Sequence, residues 1–354
     1  MNSNQRLSYL DGLKGFGCIM VFLTHFKMFG FSHPFEFFSF VNEIFYGDMF
    51  VNIFIFASAF GISASIHANM SKENGLRQVI LKRYFRLALP IGIALLFSAF
   101  IHYCGLQWNE EAAAIGGNKL LTNYYNHVSF LGLIKALLLS PFGNVFGWMS
   151  QAWMLKYIFY GTFMTIALVL GTEGISPCKK FLIGTFFCLI FYLIDDRNVF
   201  VVLGFMLYEY LRNKNNRKYD LAIATLFFSL FFCLRGVTYY LHWHRHGNIS
   251  LFLALFLIIA IIHSAKIQKL LSTKVMLWLG KISMPIYLFH FILLVSFSSW
   301  IYVVGQNLPP FILCLVNLST TSAILFVLSW INQKYVETHI SMPIIKAVIR
   351  FVEK

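Results

Sequence analysis

Arg6-Leu-Ser-Tyr-Leu-Asp11-Gly-Leu-Lys14-Gly-Phe-Gly-Cys18-Ile-Met-Val-Phe-Leu-Thr-His25-Phe26 is the stretch on which the reading of the whole chain turns. It has the apolarity of a membrane helix, yet it carries ionisable groups that such a helix does not need. An α-helix turns about 100° per residue, so Lys14 and His25 fall within about 20° of one another, and Asp11 lies about 40° to the other side. Asp11, Lys14, Cys18 and His25 therefore share one stripe. A charged group inside a bilayer costs about 2.5–3.5 kcal/mol on insertion scales, and such groups face a protein interior or a wet cavity. One face of this helix is thus predicted to line a polar site. The alternative places Asp11 and Lys14 at headgroup level and makes His25 an interior histidine with its hydrogen bonds satisfied.

The rest of the chain supports the membrane setting. Of 354 residues, 58% are hydrophobic and 12% charged, with a mean hydropathy of +0.70. A soluble domain carries roughly 25% charged residues. Ten apolar runs of spanning character are read at about 10–29, 45–67, 85–104, 146–170, 180–194, 198–212, 219–241, 249–264, 276–304 and 310–331. The expected fold is all-α: a polytopic helix bundle of about ten transmembrane helices, in one domain over 1–354 with no soluble domain appended. Phe130–Leu139 is apolar but too short to cross, so it is predicted to lie at the interface or to re-enter. The first run is too long for a signal peptide and is read as a retained span.

Starting inside, ten spans put both termini in the cytoplasm. Twenty Lys and Arg residues then fall on inner segments and span mouths, against five outside: Lys27, Lys119, Lys135, Arg197 and Arg245. Positive residues concentrate on the cytoplasmic side, so this orientation is the expected one. The net charge of +14 is read as topology and attraction to anionic headgroups, with no nucleic-acid partner. The six cysteines form no CxxC pair and carry no disulfide or metal signal. The alternating His242, His244 and His246 lack nearby Cys, Asp or Glu, so no metal is expected there either. The loop at about 105–129 faces outward and holds Trp108, Tyr124, Tyr125, His127 and Gly116-Gly117. Its aromatics suit an interfacial belt, the favoured reading, or the covering of sugar rings.

Other polar groups sit inside or beside the spans. Arg83 and Arg86, three apart, share a helical face at the inner mouth of the third span. Two guanidiniums can grip phosphates in a fork geometry, or serve only as a positive-inside anchor. Lys156 lies in an apolar stretch, either paired or snorkelling. Ser283, Tyr287 and His290 form a polar edge on the ninth span, suited to catalysis or to hydrogen bonds between helices.

Taken in order, these segments resemble the membrane acyltransferase-3 family. Arg6–Phe26 resembles its opening "YLDGLRG…H" helix, with Lys14 in the basic place. Phe50–Phe60 resembles "VxxFFxxSGF", Lys82–Pro90 "RxxR…P", Leu279–His290 "LGxxSYxxYLxH", and Lys334–Glu337 the closing "YxE". The departures are Ile158 where a carboxylate is usual in "WTxxxEFxGS", Asn52 where Asp is frequent, and Ala59 in place of the Gly of SGF. The resemblance implies ten helices and O-acyl transfer, with acetyl as the acyl group, from cytoplasmic acyl-CoA to a hydroxyl of a carbohydrate acceptor such as a polysaccharide. It makes His25 the general base or acyl carrier and has Arg83 and Arg86 hold the coenzyme A phosphates. Asp11 and Lys14 then organise the cytoplasmic mouth, and His290 assists or merely packs. The implied partners are acyl-CoA as donor, a hydroxyl-bearing glycan and the lipid bilayer, in a multi-pass cell membrane protein without metal. Two rivals are a transporter or flippase of a polar or lipid-linked solute, marked by the same intramembrane charges, and an acyltransferase-like scaffold without activity.

Overall fold

In a computed structural model the described residues are 8–32, 43–72, 74–116, 118–125, 128–213, 219–241 and 247–353. Arg6, Gly117, His127 and the His242–His246 cluster lie outside them. Among the described residues there is no strand. The helices are α1 (Ser8–Met28), α2 (Gly47–Asn69), α3 (Gly75–Tyr103), α4 (Asn109–Gly116), α5 (Phe130–Leu139), α6 (Leu155–Gly171), α7 (Pro177–Ile194) and α8 (Val199–Asn213). They continue with α9 (Asp220–Tyr240), α10 (Gly247–His263), α11 (Ala265–Leu271), α12 (Lys274–Leu293), α13 (Ser299–Val304), α14 (Pro310–Ile331) and α15 (Met342–Glu353).

Among the described residues, seven helical runs are long and apolar enough to cross a membrane, or eight if α10 and α11, bent by 97° at Ser264, count as one. The ten apolar runs read from the sequence all overlap helices, but two do not qualify by length and apolarity even when the bent pair counts as one span. In α1 the residues Asp11, Lys14 and His25 dilute the apolar run. In α8 the helix is only 15 residues long. The fourth run begins later than expected, because 146–149 form an irregular turn and Ser150–Met154 a 3-10 turn ahead of α6. The short α5 packs on α3, with the Leu137 side chain beside Gly92 and the Tyr84 hydroxyl donating to the Leu138 carbonyl at 2.8 Å. Its Phe130, Leu131 and Leu138 stay exposed, as befits a helix with a lipid-facing side.

The chain folds into two compact units interleaved in sequence. The first comprises Met1–Gly17, Asp48–Ile80 and Tyr157–Gly280. Its core joins α2, α6 and α8 through Ile62, Ile66, Ile166, Val169, Val202 and Phe205. Two polar clusters clamp the ends of α2. At one end Asp48 accepts from Arg197 at 2.7 Å and from the Ser250 hydroxyl at 2.5 Å. One turn on, the buried Asn52 accepts from Arg197 at 3.3 Å and donates to Ser250 at 3.2 Å. At the other end Glu209 binds His67 Nε2 at 2.6 Å and Lys180 Nζ at 2.8 Å, with all three side chains buried. Nineteen residues of helix separate Asp48 from His67, a rise of about 28 Å. That is close to the thickness of a hydrocarbon core, about 30 Å. The sequence departures at Asn52 and Ala59 have local counterparts. The carboxylate facing Arg197 comes from Asp48, and Gly204 supplies the space that the Ala59 methyl needs, since a Cβ on Gly204 would lie 2.8 Å from it.

The second unit comprises Cys18–Gly47, Leu81–Lys156 and Lys281–Lys354. Here the remainder of α1 runs parallel to the remainder of α12 in constant register. Cys18 Sγ donates to the Ser283 carbonyl at 3.0 Å, and His25 faces His290, each pair 265 residues apart. Lys156 lies in the first turn of α6, half-buried, its stem packed on Gly143.

Candidate active site

The centre of the second unit is a histidine pair. His290 is buried and His25 half-buried, with Nε2 of the first 3.1 Å from Nδ1 of the second. The tautomers follow from the partners. His290 Nδ1 lies 2.8 Å from the Tyr287 carbonyl and 3.2 Å from that of Ile286. Carbonyls only accept, so Nδ1 carries the proton, and neutral His290 presents an Nε2 lone pair. The bond between the rings is then donated by His25 Nδ1–H, which leaves His25 Nε2 as the basic nitrogen. The second ring thus fixes which nitrogen of the first can take a proton.

The pair is held from several sides. The Tyr287 hydroxyl donates to the Gln151 carbonyl, and Gln151 Nε2 donates to the Leu288 carbonyl at 2.7 Å. Phe291 lies against both histidines, with centroids 5.1 Å from His25 and 5.8 Å from His290. It also touches Phe29 at 5.3 Å and Tyr124 at 4.6 Å. Immediately after α12, Leu294–Ser298 forms a π-helical turn. Such turns release main-chain groups, often at functional sites. Here the Val295 carbonyl accepts from the Trp108 N–H at 3.2 Å.

A small cavity of about 10 Å³, room for about one water, is lined by Tyr124, Tyr125, Gly147–Gln151, Phe291, Ile292 and Val295. Tyr125 has a left-handed backbone, φ +61°, a strain of about 1–3 kcal/mol for such a residue that its surroundings must offset. Its hydroxyl bonds Ser98 at 3.0 Å, and its ring stacks on His102 at 5.3 Å. Burial pushes its phenol up to about 12 and also raises that of Tyr124, so both stay neutral at physiological pH.

The other sequence-derived residues fall as follows. Lys14 pairs with Asp11 at 2.7 Å in the first unit, on the same helix as His25. Arg83 is half-buried and Arg86 exposed, on α3 of the second unit. Pro90 has no N–H to offer the Arg86 carbonyl, which loosens the helix at the guanidiniums. Further along α3, Phe97 meets Phe289, the neighbour of His290, at 5.6 Å. Sequence reasoning anticipated His25 and His290 separately but missed Gln151, Ser98, Trp148 and Phe291. For Phe291 there was a signal: Phe29 and Phe291 lie four and one residues after the two histidines. Among the described residues, no group of three His, Cys, Asp or Glu could hold a metal ion.

Residues 7–328 match a family model described as an acyltransferase domain. No curated protein and no solved structure matches the chain.

Proposed function

The chain belongs to the acyltransferase-3 family and is a multi-pass membrane acyltransferase, moving acyl groups other than aminoacyl groups; from that premise we propose that it takes an acyl group, acetyl first among them, from cytoplasmic acyl-CoA to a hydroxyl of a carbohydrate acceptor. The observation that carries this reading is the His25–His290 pair, with its one basic nitrogen, inside the family-matched region. We further propose the ten-helix topology with both termini in the cytoplasm, as the Lys and Arg bias favours, and a single acyltransferase-like domain.

In this mechanism His25 Nε2 removes the proton from the acceptor hydroxyl as its oxygen attacks the thioester carbonyl carbon. An oxygen–carbon bond forms and the carbon–sulfur bond breaks. The thiolate leaving group takes its proton back from the His25 imidazolium. His290 accepts the Nδ1–H bond throughout, holding the ring and stabilising the imidazolium. Arg83 and Arg86 receive the phosphates of coenzyme A through charge-assisted bonds. Phe97 marks the depth of His290 on α3, eleven residues beyond Arg86 and fourteen beyond Arg83. The rise of about 16–21 Å supports delivery of a thioester on an extended arm. Lys14, paired with Asp11 on α1, is proposed to organise the cytoplasmic mouth of that helix.

The test is transfer from radiolabelled acetyl-CoA by purified protein in nanodiscs, supplied with a mixed glycan extract. Wild type labels the glycan and His25→Ala, at equal expression, does not. Undiminished labelling by His25→Ala overturns the reading.

A further inference from the structure

The first unit turns a sharp corner between α10 and α12. α10 has the apolar composition of a membrane span, and α11 leaves its end at 97°. Spans tilt by about 20° on average from the bilayer normal, so α11 runs along the membrane surface. The corner is held by side chains. Gln268 Nε2 donates to two of the last carbonyls of α10, Ile261 at 3.1 Å and Ile262 at 2.6 Å, and the Ser264 hydroxyl accepts the Ile267 N–H. These are main-chain groups that helix ends leave unpaired. Ile267 and Leu271 turn away from solvent, while Lys266, Lys269 and Leu270 are exposed. Lys274, Val275 and Trp278 continue the exposed surface into α12. None of the three lysines makes an ion pair among the described residues. The sequence holds no Asp or Glu from Leu221 to Val336, and Asp220, at the edge of that stretch, is bound by His263 Nδ1 at 2.8 Å. Like charges three apart on a helix are neighbours and repel.

We infer that the exposed face of this corner is a headgroup site for an anionic phospholipid. Lys266, Lys269 and Lys274 receive the phosphate, and Leu270, Val275 and Trp278 cover the first carbons of an acyl chain. Lysines on a surface-lying helix attract anionic lipid, and Trp favours the membrane interface. A soluble polyanion would leave the apolar part of the face in water. A symmetric second copy would set lysines against lysines. The corner is also the seat of α1. A Cβ on Gly12 would overlap the Leu271 carbonyl oxygen, and the Ser8 and Ser272 hydroxyls bond at 3.0 Å. A lipid on the exposed side of α11 therefore braces the start of the helix that carries Asp11 and Lys14.

Native mass spectrometry of the full-length protein in detergent tests this, with dioleoyl phosphatidylglycerol against dioleoyl phosphatidylcholine. Wild type is expected to retain phosphatidylglycerol in preference. Each lysine near an anionic surface is worth about a five-fold gain in affinity, so Lys266→Gln/Lys269→Gln is expected to weaken retention about 25-fold. Lys266→Arg/Lys269→Arg keeps it, and so does Lys179→Gln/Lys346→Gln, which removes the same charge elsewhere. All four proteins are expected to melt alike without lipid, and added phosphatidylglycerol to raise the midpoint of wild type but not of Lys266→Gln/Lys269→Gln. Equal retention of the two lipids, undiminished retention by Lys266→Gln/Lys269→Gln, or an equal loss in Lys179→Gln/Lys346→Gln each overturn the inference. Displacement of the lipid by excess coenzyme A assigns the face to a soluble polyanion, and a dimer that Lys266→Gln/Lys269→Gln dissolves assigns it to a second copy; either result overturns it too. A retained lipid that leaves the wild-type midpoint unmoved refutes the bracing of α1.

Discussion

His25 and His290 meet edge to edge, Nδ1 to Nε2 at 3.1 Å, and with both rings neutral only one arrangement of protons satisfies the carbonyls of Ile286 and Tyr287 behind them. The geometry gives His290 the part of a positioning residue. Replacing it with Ala lets the His25 ring turn and exchange tautomers. The expected outcome is a fall of about 10²-fold in kcat, the scale of losing a well-placed proton acceptor, with the KM for acetyl-CoA unchanged. His290→Gln restores an oxygen acceptor and an N–H donor and is expected to recover part of the rate. Steady-state kinetics on the three proteins check this; equal losses in Ala and Gln variants would leave only a packing role.

Arg83 and Arg86 make a separable prediction. A hydrogen bond to a charged group is worth about 1.5–3 kcal/mol, so loss of either guanidinium is expected to raise the KM for acetyl-CoA roughly 10- to 100-fold. Acetyl-pantetheine lacks the nucleotide phosphates, and its transfer is expected to be indifferent to Arg86→Ala. Lys in place of Arg keeps the charge but not the fork and should recover only part of the affinity. If both donors suffer alike, the arginines do not hold phosphate.

Glu209 carries a stability prediction. Its carboxylate is buried between His67 and Lys180, at 2.6 and 2.8 Å. Removing one member of a buried ion pair strands the other, at a cost of about 3–5 kcal/mol. Glu209→Leu and Lys180→Met are each expected to lower the unfolding midpoint in detergent steeply. The double variant Glu209→Leu/Lys180→Met is expected to be milder than the sum of the two, because neither charge is then left alone. Denaturation curves of the four proteins measure that coupling.

How far the sequence could be read depended on the range of each interaction. The stripe on α1 was legible, because Asp11, Lys14, Cys18 and His25 are related by helical periodicity alone, and the Lys14–Asp11 pair follows from a spacing of three. The polar edge Ser283–Tyr287–His290 was legible for the same reason. That the two stripes face each other across 265 residues was not, since no local signal fixes which helices touch. The Glu209 cluster draws on residues 67, 180 and 209, and the Arg197 cluster on 48, 52, 197 and 250; each member alone looks like an ordinary polar residue of a helix. The aromatic loop was noticed but favoured as an interfacial belt. That Tyr124 and Tyr125 share a cavity with Trp148 and Phe291, which reach it from the turn before α6 and from α12, had no local signal.

The close approach of α1 and α12 in the first unit yields the last prediction, a contrast between two glycines. A Cβ on Gly15 would lie 2.5 Å from the Gly280 nitrogen and 2.6 Å from the Leu279 carbonyl carbon. These are backbone atoms, which cannot turn aside, so Gly15→Ala must push the helices apart. Small residues are what let membrane helices approach this closely, and overpacking of this kind costs about 1–3 kcal/mol. Gly61, mid-helix in α2, is exposed, and a Cβ there meets nothing within 4 Å. Alanine is the better helix former by about 1 kcal/mol, so Gly61→Ala is expected to be stabilising. Thermal unfolding in one detergent should therefore move the two midpoints in opposite directions. A Gly15→Ala protein as stable as wild type would show that the helices do not pack at this distance.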